Sequence, residues 1–123
     1  MSIYIHIPFC KNICSYCDFC KFYYNEKWVD NYLIALEKEI KSKYQNELIN
    51  TIYIGGGTPT SLNVKQLEKL LQLTKLFNFE KIEFTVETNV DLSLEKIKLL
   101  IKYGVNRISI GVQTVNQKHL KFL

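Results

Sequence analysis

The stretch NTIYIGGGTPTSLNVKQLEKLLQLT, residues 50–74, sets the architecture of the chain. Its first residues, rich in Ile and Tyr, predict a strand that ends in three glycines. Asn63, with Gln66 three positions on, has the form of a capping box that opens a helix. In that helix Leu67, Leu70, Leu71 and Leu73 or Thr74 recur at helical spacing and mark the inward side. Strand, glycine turn and helix follow one another within 25 residues.

The same unit repeats on both sides. SIYIHIP predicts a strand over residues 2–7, bounded by Pro8 and a cysteine-rich loop. From about Lys27 to Tyr44, the residues Trp28, Tyr32, Ala35, Leu36 and Ile40 fall at three- and four-residue spacing and predict one buried helix face. KIEFTVE, residues 81–87, is a third strand, and Ser93 caps a helix over 94–103 that Lys102 and Gly104 close. NRISIGV is the fourth strand. Such alternation predicts an α/β fold with a parallel sheet and right-handed crossovers. The four strands end in IPFC, GGGTPT, VETN and GVQT. In parallel α/β architectures, chemistry gathers at those carboxyl ends.

Composition agrees with a packed domain. The chain has 123 residues, 47% of them apolar and 13% aromatic, enough for a buried core and too apolar for disorder. Sixteen Lys and Arg against 12 Asp and Glu leave a net charge of +4, spread along the chain, with KFYYNEKW the nearest approach to a basic aromatic patch. Nucleic-acid binders concentrate such charge on one face, so no nucleic acid is expected. No stretch reaches the roughly 18 apolar residues of a membrane span. The start MSIYIHIPF has no export leader, which predicts a cytoplasmic, reducing setting.

All four cysteines lie in HIPFCKNICSYCDFC, residues 6–20. Cys10, Cys14 and Cys17 are spaced C-x3-C-x2-C, with Cys20 three residues further. A zinc site usually draws two separated pairs of ligands, and none is available here. Buried thiols without a ligand are the other bland alternative. Three thiolates at this spacing suit three irons of a cubane cluster, leaving a fourth iron open to an exogenous chelator.

CKNICSYC, with Tyr16 as its aromatic residue, resembles the signature of the radical S-adenosylmethionine superfamily. The longer strings YIHIPFCKNICSYCDF, IGGGTPTSL and GVNRISIGVQT are similar to one branch of it. That branch holds oxygen-independent coproporphyrinogen III oxidases and the related HemW-type heme chaperones. The resemblance implies the first half of a partial (β/α)6 barrel. It implies a [4Fe-4S] cluster on Cys10, Cys14 and Cys17, with S-adenosylmethionine on the open iron. In such proteins one electron from the reduced cluster breaks a carbon–sulfur bond of that cofactor. A flavodoxin or ferredoxin would serve as electron donor, and a porphyrin or heme would be the ligand of the complete protein.

By the same resemblance, Gly56, Gly57 and Thr58 approach the methionine moiety, although a plain tight turn also explains a glycine run. Glu87 faces the cofactor, the alternative being a solvated carboxylate at a strand end. The family usually has Pro where this chain has Val90, which predicts a looser turn. Gln113 matches the amide of the family's GVQ, or simply serves the turn. Tyr4 and Tyr16 match cofactor-side aromatics, or fill the core. His6 lies on the Tyr4 face of the first strand and stands outside this core set. No catalytic side chain is implied beyond the cluster and cofactor site.

CDF after Cys17 is what the chaperone-like branch shows. Cys20 falls one place too late to be the oxidases' extra cysteine, so it reads as a small apolar residue. An eight-unit barrel takes roughly 250 residues, and a six-unit one well over 123. The chain therefore predicts the N-terminal portion of a radical S-adenosylmethionine core domain over 1–123, lacking the C-terminal barrel half. Its open sheet is expected to expose a last strand edge and one apolar barrel face. Chaperone, oxidase and inactive fragment are the functions to be distinguished.

Overall fold

The computed structural model describes residues 1–10 and 22–111. Among the described residues, six strands and three α-helices follow in the order β1 (Ser2–Ile7), β2 (Phe9–Cys10), β3 (Phe22–Tyr23), α1 (Glu26–Lys43), β4 (Thr51–Gly56), α2 (Val64–Leu73), β5 (Glu83–Asn89), α3 (Leu94–Lys102) and β6 (Arg107–Gly111). The main sheet runs β1-β4-β5-β6, and every pair in it is parallel. Each helix-linked strand is laid beside its predecessor. That sequential order belongs to barrels, whereas doubly wound sheets reverse direction at a switch point.

Local chemistry explains where the elements begin and end. Asn63 and Gln66 form the complete capping box at α2, each side chain accepting from the other's backbone N–H. Ser93 accepts from Lys96 N at the start of α3, and Gly104 takes φ +89° just past its end. Asn25, unforeseen from the sequence, caps α1 by accepting from Trp28 N.

One face of the sheet makes the core. Ile5, Ile7, Ile52, Ile54, Phe84 and Val86 pack with Val29, Leu33, Leu67, Leu70, Leu71 and Leu100 in a single cluster. Each such side chain contributes about 1.5–3 kcal/mol of burial. The inward side of α2 is as predicted, down to Leu73 and Thr74. The face of α1 is as predicted in part: Ile40 is buried and Tyr32 and Leu36 pack on the core, but Val29 and Leu33 are buried where Trp28 is 55% exposed and Ala35 also faces solvent. Val29 and Leu33 are four apart and carry the stripe one position on from Trp28.

The opposite face departs further from expectation. Instead of an apolar barrel lining it presents Tyr4, His6, Tyr53, Glu87, Ser109 and Arg107. The register sets Tyr4 beside Tyr53, His6 beside Gly55, and Glu87 beside Ser109. Strand alternation sends the Ile residues to the helices and these polar and aromatic residues the other way. At the β6 edge, Ile108 and Ile110 are 45% and 40% exposed, the exposed last strand that the sequence predicted.

Candidate functional site

The carboxyl ends of β1, β4 and β5 converge on the glycine turn. After Ile7 the chain enters β2, whose Phe9 and Cys10 pair in parallel with Phe22 and Tyr23. Tyr24 N donates to Cys10 O at 2.8 Å, which joins the chain on the two sides of residues 11–21. Two-residue strands leave no periodicity in the sequence, and this pairing was not legible there.

The turn is fastened to β1 and β2. Gly57 N donates to Ile7 O and Thr58 N to Phe9 O, both at 2.8 Å. Ser61 Oγ donates to Phe9 O at 3.1 Å. A Cβ on Gly57 would stand 2.7 Å from Phe9 O, 2.9 Å from Phe9 N and 3.0 Å from Cys10 Sγ. Only glycine permits two backbones so close. Gly56 has φ +119°, and a Cβ there would meet the His6 ring at 2.8 Å. Thr58 is buried with its Oγ1 3.5 Å from Cys10 Sγ. The glycine run therefore has a structural duty in the fold as well as any ligand duty.

Glu87 reaches into the same place. Its Oε1 accepts from Gly56 N at 2.9 Å and its Oε2 from the Tyr53 hydroxyl at 2.7 Å. The bond to Glu87, followed by burial, raises Tyr53 above the usual phenol value. Tyr4 lies 5.9 Å from Tyr53, ring to ring, and shares a 3.1 Å hydrogen bond with His6 Nδ1. Burial first, and the charge of Glu87 second, raise Tyr4 as well. Tyr32 donates from α1 to His6 O, which braces the end of β1. Val90, in place of the family's Pro, sits in the turn after β5 and is 69% exposed.

Of the residues singled out from sequence, Tyr4, Cys10, Gly56, Gly57, Thr58 and Glu87 are thus gathered at one end of the sheet. Cys14, Tyr16, Cys17, Cys20 and Gln113 lie outside the described residues. Tyr53, Ser61 and Tyr32 were missed. Tyr53 shares the alternation of Tyr4 and faces the same way, but its partnership with Glu87 appears only once β4 and β5 are in register.

Of the three cysteines expected to hold an iron–sulfur cluster, Cys10 lies among the described residues, and its surroundings fit that duty beside a small polar ligand. Cys10 offers a soft sulfur donor, and the side-chain-free turn next to it leaves backbone and Glu87 as polar contacts. Among the described residues no three His, Cys, Asp or Glu converge as a ready metal site. Nor is any described helix long and apolar enough to cross a membrane.

Comparison with known proteins agrees with this geometry. The HemW heme chaperone of Bacillus subtilis is 50% identical over 120 residues, covering 92% of this chain and 32% of its own. That of Lactococcus lactis is 50% identical over 123 residues, covering 98% and 32%. The structure of coproporphyrinogen III oxidase (HemN) from Escherichia coli, a radical SAM enzyme, superposes with a TM-score of 0.84 at 34% identity. It covers 98% of this chain and 29% of that one. The chain spans about a third of the length of the curated relatives it matches. The family model for the radical SAM superfamily matches residues 4–123, and the chain belongs to that superfamily.

Proposed function

We propose that the protein is a heme chaperone of the HemW type, holding a [4Fe-4S] cluster and S-adenosylmethionine at the carboxyl end of its sheet. One observation carries the cofactor reading: buried Cys10 abuts Thr58 of the glycine turn, and Glu87 is fixed to the same turn. Cys10, Cys14 and Cys17 would hold the cluster. Tyr4, Tyr16, Gly56, Gly57, Thr58, Glu87 and Gln113 would face the cofactor.

The cluster supplies, when bound and reduced, the electron that can break a carbon–sulfur bond of S-adenosylmethionine. This chain's own residues do the positioning. The turn brings backbone N–H and C=O groups to the ligand without side chains between them. Glu87 keeps lone pairs for an amine or ribose hydroxyls. The core packed behind β1 and β4 keeps water from that side.

Greater identity to the chaperones than to the oxidase structure, together with CDF after Cys17, supports the chaperone branch. The alternative is anaerobic decarboxylation of coproporphyrinogen III, favoured by the superposition on the oxidase. In either case residues 1–123 form the N-terminal portion of the core domain. The partners are a porphyrin or heme, a flavodoxin- or ferredoxin-like donor and the remaining barrel half, all in the cytoplasm.

The test is anaerobic reconstitution with iron and sulfide, followed by electron paramagnetic resonance with and without S-adenosylmethionine. A four-iron signal that shifts with the cofactor is expected, and a signal indifferent to it would refute the cofactor site. Heme titration then separates the branches: a saturable heme spectrum supports the chaperone, and porphyrinogen turnover the oxidase.

A further inference from the structure

Glu87 is gripped at both carboxylate oxygens by donors from one neighbouring strand. Gly56 N donates to Oε1 at 2.9 Å and Tyr53 Oη to Oε2 at 2.7 Å. Gly55, between those donors, makes the grip possible, because a Cβ there would lie 2.6 Å from Glu87 Oε1 and 2.8 Å from the Tyr53 ring. Tyr53 is itself held from the far side, where its ring tilts against Tyr4 of β1 with centroids 5.9 Å apart. A chain of contacts thus runs across three strands to one carboxylate.

The last torsion of a glutamate side chain is otherwise broad and loosely set. Each carboxylate oxygen has two acceptor sites. With one internal donor on each oxygen, the plane of the group is fixed and one acceptor site per oxygen is left over. We propose that Tyr53 is a positioning residue for the cofactor site: it sets the plane of the Glu87 carboxylate so that the remaining acceptor sites meet a cationic or hydroxyl-bearing ligand. This rests on the reading of Glu87 as a cofactor contact. Tyr53 touches no ligand in this scheme and acts through Glu87 alone.

A double-mutant cycle read by S-adenosylmethionine binding to the cluster-loaded protein tests this, with Tyr53→Phe, Glu87→Ala and the pair. Removing one charge-assisted hydrogen bond is expected to weaken binding about fivefold to twentyfold in Tyr53→Phe. In the Glu87→Ala background the same change is expected to cost nothing further. Tyr53→Ala, run through the same cycle, serves if the Phe variant does not fold. Equal loss in both backgrounds, or wild-type affinity in Tyr53→Phe, overturns the proposal. If the unsubstituted protein binds no S-adenosylmethionine, the cofactor reading fails and this inference with it.

Discussion

Thr58 Oγ1 stands 3.5 Å from Cys10 Sγ, and both side chains are buried at the carboxyl end of the sheet. The contact ties the first cysteine of the C-x3-C-x2-C motif to the glycine turn 48 residues later. A thiolate can only accept, so in a cluster-bearing protein the hydroxyl must be the donor.

Hydrogen bonds to cluster sulfurs raise reduction potential by stabilising the added electron. Thr58→Val keeps the volume and removes the donor. The reconstituted variant is expected to bind as much iron as the parent but to reduce at a more negative potential, with Thr58→Ser restoring the parent value. Redox titration followed by electron paramagnetic resonance, without added S-adenosylmethionine, makes the comparison. Identical potentials in all three would show that the hydroxyl does not bond to the sulfur.

Gly57 and Gly104 differ in what their glycines are for. At Gly57 a Cβ would press on Phe9 backbone atoms at 2.7 and 2.9 Å, whereas at Gly104 it meets nothing within 4 Å. Gly57→Ala must move backbone and is expected to cost about 2–3 kcal/mol, the upper range of overpacking. Gly104→Ala suffers only its φ of +89° and should cost about 1 kcal/mol. Urea unfolding followed by circular dichroism ranks the two. A reversed order would mean that the turn can yield where the structure says it cannot.

How far the sequence could foresee these features depends on how local each one is. Asn63 and Gln66, Ser93, Gly104 and the strand Ser2–Ile7 act through neighbours a few residues away, and all were legible. The face of α1 was legible in part: Tyr32, Leu36 and Ile40 face the core, but three- and four-residue spacing fits the Val29 register as well as that of Trp28 and Ala35. Only packing on the sheet selects Val29 and Leu33. The polar barrel face lay hidden in strand alternation until Tyr4, Tyr53 and Glu87 were brought side by side. A motif fixes which residues lie near the turn, and register fixes which of them touch.

Gln66 is a second example of register at work. Beyond its capping role, this buried amide accepts from Tyr24 Oη at 2.8 Å and donates to Glu26 O at 3.1 Å and Asp30 Oδ1 at 2.9 Å. It joins α2 to the first turn of α1 and to Tyr24, which follows β3. Gln66→Leu removes a partner from each and is expected to cost about 1–3 kcal/mol. Because Tyr24 N also holds Cys10 O, iron retention on dilution should fall as well. A Leu variant as stable and as iron-retentive as the parent would count against this coupling.

Alkaline pH offers a probe of the brace behind β1. Tyr32 donates its hydroxyl to His6 O, and burial, then the charges of Glu39 and Tyr4, raise it above its ordinary 10.0. In the unfolded chain that phenol ionises first, so the folded state holds more protons once pH passes about 10. The contribution of Tyr32 is therefore fully present below that value and is lost as pH climbs through the raised folded value. Tyr32→Phe cannot ionise, and its unfolding midpoint between pH 8 and about 11 should fall less steeply than the parent's. Tyr4, Tyr24 and Tyr53 are raised too and leave a residual slope, so the difference between the two curves is the quantity to read. Parallel curves would show that Tyr32 titrates alike in both states and that its grip on His6 O adds nothing to the alkaline limb.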